Sequence, residues 1–304
     1  MTQTPKFKAP ISILIAAALI AAGITGCKAP TPLATDTPTG SQNMAPETER
    51  ASFRKALACL PDDAAMIAAH RGTDERWTDV AENSLGGIKA LIAHGTPIAE
   101  IDVAGLKDRT LITFHDGVWD DISTGSGPIS TARKSDLQTI LLKSRAGQLT
   151  AERPPLFSDV LAAAKDKIYL EVDFKSSARY EDVIQAIRRA NMTDQVMLIA
   201  YSSGQAAKLK QLAPDMLRSN PKDAPQKKHA VWLGYDISNK AEAAQLKSQG
   251  HFIIGRIGDP RRQPPLRILR QSADILVTDQ AERHTGILGL KDVDRTAYHA
   301  CLAR

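Results

Sequence analysis

Ionisable side chains recur at short spacing at four places in the chain, each at or near the end of a short apolar run. They are found, in chain order, in or just after the segments "MIAA", "IAEIDVA", "LITFHD" and "IYLEVDFK", and they comprise His70 and Arg71, Glu100 and Asp102, His115 and Asp116, and Glu171, Asp173 and Lys175. Histidines transfer protons near neutral pH. Oxygen ligands at this density suit a hard divalent cation, Mg²⁺ or Ca²⁺, better than zinc. The pattern therefore predicts a metal-assisted acid–base site.

The spacing of the acids indicates how they are presented. Glu100 and Asp102 are two residues apart on a predicted strand, so both face the same side, and Glu171, Asp173 and Lys175 share a face in the same way. Taken alone, a histidine at a strand end is often structural, and a lone E-x-D can simply face water. The recurrence of such clusters at strand ends favours a functional site over independent accidents.

Apolar runs alternate with amphipathic segments from residue 65 onward. The predicted strands are 65–69, 98–104, 110–114, 168–174, 196–201, 230–234, 252–257 and 275–278. The predicted helices are 84–93, 135–143, 157–165, 180–190, 204–212, 240–248, 265–271 and 281–289. About eight strand–helix repeats without a break in composition predict an α/β fold, a single TIM-type (β/α)8 barrel. In such a barrel the active site lies at the C-terminal ends of the strands, where these clusters fall.

The first fifty residues differ from the rest. Residues 1–26 combine early lysines, a short apolar run and a small-residue ending, which predicts a signal peptide. The ending "ITGC" resembles a bacterial lipobox, with Cys27 as the lipidated residue; an ordinary secretory signal with an accidental cysteine is the alternative. Residues 27–50 are rich in Pro, Thr and Ser and predict a disordered tether. Residues 51–304 then form the single folded domain.

The composition of the chain bears on its binding partners and on its cysteines. The net charge of +5 is spread along the chain and aromatic residues make up 5%, so nothing indicates a nucleic-acid partner, and no obligate protein partner is evident. Apart from Cys27, the cysteines are Cys59 and Cys301. In an exported protein they could form a disulfide between the two ends of the domain, or they could be two separate buried thiols.

The ordered motifs resemble the glycerophosphodiester phosphodiesterase family over residues 65 to about 290. The resemblance is carried by "AAHRG", "AENSLGGIKALIAHG", "AEIDVAGLKDRTLITFHD", "STGSGPIS", "PPLFSDVLAAAKDKIYLEVDFK" and "ILVTDQAE". It implies a barrel that uses a divalent metal to hydrolyse glycerophosphodiesters to an alcohol and sn-glycerol 3-phosphate.

Carried over position by position, the resemblance implies a role for each matched residue. His70 and His115 match the paired histidines that exchange protons, Arg71 matches the phosphate clamp, and Lys175 is a second candidate clamp. The implied metal ligands are Glu100, Asp102 and Asp173, with Glu82 binding or orienting the metal and Glu171 an alternative to Asp173. The family precedent is attack by the substrate's own glycerol hydroxyl through a cyclic phosphate, and direct attack by water stays open.

Two departures affect the substrate rim. The strand "FIIGRIGD" stands where many members have an aromatic-rich strand, and the segment inserted after the "HD" motif is short, at about residues 117–153. A related phospholipase C- or D-like enzyme acting on lipid head groups is therefore an alternative, although no aromatic-rich loop is evident. A non-enzymatic envelope binding protein is a third, although no acid or histidine of the set is missing. The expected location is the bacterial cell envelope, lipid-anchored and facing the periplasm or the exterior.

Overall fold

The computed structural model describes residues 50–258 and 265–304. Among these residues, eight parallel strands pair around a closed ring, because the first strand, Ala65–Ala69, pairs with both Ile98–Gly105 and Ile275–Thr278. The barrel strands are β1 (Ala65–Ala69), β2 (Ile98–Gly105), β4 (Tyr169–Phe174), β5 (Val196–Ile199), β6 (Leu217–Pro221), β7 (Ala230–Gly234), β8 (Phe252–Arg256) and β9 (Ile275–Thr278). The predicted TIM-type barrel is confirmed.

Helices cover the outside of the barrel. They are α2 (Leu85–Ala93), α3 (Phe157–Ala164), α4 (Tyr180–Arg189), α5 (Ser203–Leu212), α6 (Lys240–Ser248) and α7 (Leu266–Ser272), preceded by α1 (Phe53–Ala58) and followed by α8 (Asp292–Ala303). The helix α4 shows why these segments are helical. Val183, Ile184 and Ile187 form its buried stripe, while acids in the first turn and arginines in the last complement the helix dipole.

One predicted strand forms outside the barrel, and one barrel strand was missed. The segment predicted at 110–114 forms β3 (Leu111–Thr113), which pairs antiparallel with β2 outside the barrel. The strand β6, with sequence "LRSNP", takes its place in the ring. Its Arg218, Ser219 and Asn220 are all buried, so its polar composition concealed a barrel strand.

Two predicted helices were also wrong. Residues 135–143 contain only a short 3₁₀ turn, Lys134–Gln138. Residues 281–289 end in the short strand β10 (Ile287–Leu288), which pairs antiparallel with β1. Gly286 and Gly289 adopt positive φ angles of 77° and 83°, which a helix cannot include. The terminal helices α1 and α8 were not predicted.

The N-terminal end of the barrel is closed by an apolar layer. Phe53 of α1 stacks on Tyr169 of β4 with 4.5 Å between ring centroids, and Tyr298 of α8 joins the same buried cluster. A disulfide between Cys59 and Cys301 ties the end of α1 to α8. Both chain ends of the domain thus pack at the face opposite the strand ends that carry the polar clusters.

A segment of little regular structure lies between β3 and α3. It has its own small core, which includes Phe114, Trp119, Ile129 and Leu142. A bridge between Ala81 and Ser144 connects it to the loop after β1. The segment is therefore packed beside the C-terminal ends of β1 and β2.

Within the described ranges, no helix is both long enough and apolar enough to cross a membrane. The predicted signal peptide, the lipidated Cys27 and all but the last residue of the predicted tether lie outside the described residues.

Candidate active site

Three buried carboxylates converge at the barrel mouth. Glu100 and Asp102 of β2 and Asp173 of β4 each place one oxygen within 4.8 Å of the others. The strand register explains this, because Asp102 pairs directly with Asp173 across the two parallel strands. Burial and the nearby Asp102 raise the pKa of Glu100 well above its usual value. We call these three side chains together the carboxylate group. Its negative charge is not fully balanced by positive charge nearby.

Lys175 and Asn83 hold this group in place. The Lys175 ammonium lies 2.7 Å from Asp102 Oδ1 and 2.8 Å from Asp173 Oδ2. Burial would raise the pKa of Asp102, but Lys175, together with His115 and Asn83, outweighs burial, so that pKa lies below its usual value. Asn83 donates to Asp102 Oδ2 at 2.8 Å, and its own oxygen accepts from the Asp102 backbone N–H at 2.9 Å. These contacts fix the orientation of Asp102.

His70 follows β1 and contacts Asp279, which follows β9. His70 Nδ1 lies 2.7 Å from Asp279 Oδ1. An ionised carboxylate can only accept, so Nδ1 carries the proton and the lone pair lies on Nε2. Burial lowers the pKa of His70 below its usual value, although the hydrogen bond to Asp279 opposes this. Asp279 stays ionised, because its contacts with His70 and Arg145 outweigh burial and hold its pKa far below normal.

His115 and Arg71 form the second half of the mouth. His115 Nδ1 lies 2.6 Å from Asp116 Oδ1, and Arg71 Nη2 lies 2.9 Å from His115 Nε2. A guanidinium can only donate, so His115 has the same tautomer as His70, with its lone pair on Nε2. Arg71 has a left-handed backbone with φ of 56°, and its N–H donates to Glu100 at 2.8 Å. The Arg71 backbone thus ties this half of the site to the carboxylate group.

Charged side chains alternate in an arc from one histidine to the other. Glu82 accepts from Arg71 at 3.0 Å and from Arg145 at 3.2 Å. Asp279 accepts from Arg145 at 2.7 Å and from Arg256 at 2.5 Å, so Arg145 joins the two carboxylates. We call these five residues the charged arc. It contains three guanidinium groups and two carboxylates and so carries one surplus positive charge. A phosphodiester carries one negative charge, which this surplus would attract.

The structure does not bring every predicted ligand to the carboxylate group. Glu82 binds Arg71 and Arg145, which direct its carboxylate into the charged arc. Glu171 lies two residues before Asp173, deeper in the barrel and level with Glu100. Its Oε1 is buried without a hydrogen-bond partner, and burial raises its pKa to about 8. The other predicted site residues, apart from Cys27, lie together at the mouth or form the disulfide described above.

Sequence reasoning gave no role to four members of the site: Asp116, Arg145, Arg256 and Asp279. Asp116 and Asp279 were within recognised motifs, "FHD" and "VTD", and each is the orienting carboxylate of a histidine. Arg256 ends β8, so its place at a strand end was a usable signal. Arg145 comes from the irregular segment after β3, where no periodicity points to it.

The chemistry of the carboxylate group fits a divalent metal. All three donors are hard oxygen ligands on adjacent strands, and burial together with the neighbouring carboxylates raises the pKa of Glu100. Among the described residues, cationic compensation for this group comes chiefly from Lys175. Glu100, Asp102 and Asp173 are therefore the residues that would hold the ion.

A (β/α)8 barrel with acid–base residues gathered at its mouth has the architecture of a barrel enzyme. Residues 70–220 match the model of the glycerophosphoryl diester phosphodiesterase family, and the chain belongs to that family. A glycerophosphodiester phosphodiesterase of Caldanaerobacter subterraneus is 25% identical over 158 residues, which are 50% of this chain and 64% of that protein. The aligned region thus spans less than two-thirds of this relative.

Solved structures resemble the fold over more of the chain. A glycerophosphoryl diester phosphodiesterase of Parabacteroides distasonis superposes with a TM-score of 0.67 at 20% identity, covering 83% of this chain and 93% of that one. A phosphodiesterase of Oleispira antarctica, solved with the product sn-glycerol-3-phosphate, superposes with a TM-score of 0.58 at 16% identity, covering 75% and 96%. At these identities the likeness concerns the fold.

Proposed function

We propose that this protein hydrolyses glycerophosphodiesters to an alcohol and sn-glycerol 3-phosphate with the help of a divalent metal, Ca²⁺ or Mg²⁺. The observation that carries the proposal is the grouping at one mouth of two oriented histidines, a carboxylate group and a charged arc with surplus positive charge. The substrate is a small molecule bound at that mouth.

The two histidines supply the proton transfers. Hydrolysis requires one group to accept a proton from the attacking hydroxyl and another to donate one to the leaving oxygen. Both His70 and His115 hold their Nδ1 proton against a carboxylate, so the lone pair of each ring lies on Nε2, which at His115 accepts from Arg71. The residue that donates must first take up a proton, and its carboxylate stabilises the imidazolium that results. General acid–base catalysis of this kind contributes about 10²–10⁴-fold.

Arg71 and Lys175 stabilise charge on the phosphate. Arg71 lies beside His115 Nε2, and Lys175 lies beside Asp102 and Asp173 and lines a cavity together with His115. Negative charge on the non-bridging oxygens would be stabilised by these preorganised donors. A bound divalent metal would add Lewis-acid stabilisation of the same oxygens.

The location is part of the proposal. The predicted signal peptide and lipid-modified Cys27 would anchor the protein in the bacterial envelope, facing the periplasm or the exterior, with residues 27–50 as the tether. The Cys59–Cys301 disulfide supports an oxidising compartment. Replacement of Cys27 by Ser should release the protein from membranes, and unchanged membrane partition would contradict the anchor.

A substrate panel tests the activity. The purified protein, stripped of metal with chelator, is given glycerophosphocholine, glycerophosphoethanolamine or glycerophosphoglycerol, each with Mg²⁺ or Ca²⁺. We expect glycerol phosphate to appear only when metal is added. A lysophospholipid in the same panel tests the alternative activity on lipids. Absence of glycerol phosphate with every substrate and metal would overturn the proposal.

A further inference from the structure

A tryptophan is exposed in the middle of an otherwise buried strand at the barrel mouth. Trp232 of β7 is 37% exposed, whereas the other four residues of that strand are buried. The pairing of β7 with β8 shifts register between Trp232 and Gly234, and Gly234 has a positive φ of 56°. Such bulges redirect side chains near active sites. The irregularity directly follows Trp232, at the end of the strand where the indole is exposed.

Trp232 and Tyr235 line an open cavity of about 850 Å³ at the ends of β6 and β7. The indole lies against Gly234, with Nε1 3.1 Å from where a Cβ on that glycine would stand. Tyr235, which follows β7, is 62% exposed. Both aromatic side chains thus present ring surface to the cavity and to solvent.

This cavity is connected to the proposed catalytic histidine. The Tyr235 hydroxyl accepts from Arg256 Nε at 3.0 Å, and Arg256 Nη2 donates to Asp279, the carboxylate that binds His70 Nδ1. A phosphodiester held beside His70 would therefore have one of its two alcohols directed past Arg256 towards the aromatic side chains. The cavity is large enough for a small organic head group.

The charges at the cavity favour a cation. Asp223 is exposed and lines it. Among the described residues, Lys222 lines the cavity and pairs with Glu242 at 2.7 Å, while Arg256 belongs to the charged arc, whose surplus positive charge the phosphodiester would balance. Exposed tryptophan and tyrosine faces beside a carboxylate attract quaternary ammonium groups through cation–π interaction.

We propose that the Trp232–Tyr235 cavity is a subsite for a quaternary ammonium head group on the alcohol of the substrate. The proposal rests on the proposed function for the position of the phosphodiester. It makes Trp232, Tyr235 and Asp223 specificity-determining residues. They determine which alcohol the substrate carries, whereas the histidines carry out the proton transfers.

The test compares choline with 3,3-dimethylbutan-1-ol, which has the same shape without the charge. Both are assayed as inhibitors of glycerophosphoglycerol hydrolysis by the full protein, so that the chemical step is the same in both arms. The expected inhibition constant is about five- to thirtyfold lower for choline. In Trp232→Leu that ratio should fall towards one, and Trp232→Phe should retain part of it. Asp223→Asn should weaken inhibition by choline and leave inhibition by the neutral alcohol unchanged.

Val293→Ala is the matched control, because Val293 is 82% exposed on α8 at the opposite end of the barrel. It should leave both inhibition constants unchanged. Equal inhibition by the two alcohols, or equal weakening of both in Trp232→Leu, would overturn the subsite. Absence of any hydrolysis would instead contradict the proposed function, and an NMR titration with the two alcohols would then still test the subsite without turnover.

Discussion

Asp279 Oδ1 lies 2.7 Å from His70 Nδ1, although the two residues are 209 positions apart in the chain. They meet because β1 and β9 are neighbours at the closure of the barrel and both side chains follow the strand ends. The carboxylate fixes the His70 tautomer and leaves Nε2 to face the mouth. The barrel closure therefore builds one half of the proposed acid–base pair.

Replacing Asp279 by Asn should lower kcat/KM by about 10²-fold or more, because an amide can bind the wrong tautomer of His70. The hydrogen bond to Asp279 raises the pKa of His70 against the effect of burial. Its loss should therefore move the limb of the pH–rate profile that belongs to His70 to lower pH. Metal affinity, measured by calorimetry, should stay unchanged. A variant with wild-type kcat/KM and pH profile would contradict the orienting role.

Arg145 should act as a positioning residue, because it links Glu82 and Asp279 across the charged arc. In Arg145→Gln we expect kcat to fall about tenfold, with partial recovery in Arg145→Lys. The effect should include a shift of the pH profile, which a purely structural role would not produce. Arg153→Gln is the matched control, since Arg153 is exposed in the same segment and donates to the Gln138 carbonyl. Equal effects of the two Gln substitutions would refute the assignment.

Lys175 should oppose metal binding while assisting catalysis. Its ammonium occupies oxygens of Asp102 and Asp173 that a metal would also use. Lys175→Met should therefore tighten the binding of Mg²⁺ or Ca²⁺ by about tenfold or more, through lost repulsion and competition. At saturating metal, its kcat/KM should nevertheless fall because the phosphate loses a cation. Unchanged or weaker metal binding of Lys175→Met in calorimetry would contradict the claim that Lys175 opposes metal binding.

Glu171 should make the stability of the metal-free protein fall with rising pH. Burial raises its pKa from 4.5 to about 8, so the folded state binds more protons than the unfolded state between these values. The free energy of unfolding therefore decreases as pH rises through that window. Glu171→Gln cannot ionise, so its Tm should decline less than that of the wild type between pH 5 and pH 8. Equal declines in the Tm of the variant and the wild type would show that ionisation of Glu171 does not cause the loss of stability.

The sequence was most informative for the ionisable residues at the ends of the barrel strands. Glu100, Asp102 and Asp173 could be predicted to face one mouth, because alternation along a strand and parallel pairing leave little choice. The barrel followed from the alternation of strands and helices. The strand β6 was missed because its buried Arg218 and Asn220 resemble surface residues.

Contacts between distant segments were not predictable in the same way. The pairing of Glu82 with Arg71 and Arg145 depends on how the segment after β3 packs beside the loop after β1. That packing comes from a small local core around Trp119, which has no periodic signature. Glu82 was expected from the resemblance to bind or orient the metal, and in the structure its carboxylate pairs with Arg71 and Arg145.

Metal-dependent hydrolysis by two histidines is tested by ³¹P NMR of a glycerophosphodiester with metal-stripped protein, before and after addition of Mg²⁺ or Ca²⁺. We expect the diester signal to convert to that of glycerol 3-phosphate only after metal addition. His70→Ala and His115→Ala should show no conversion, although both variants should still bind metal. Full turnover by either histidine variant, or by the metal-stripped wild type, would contradict it.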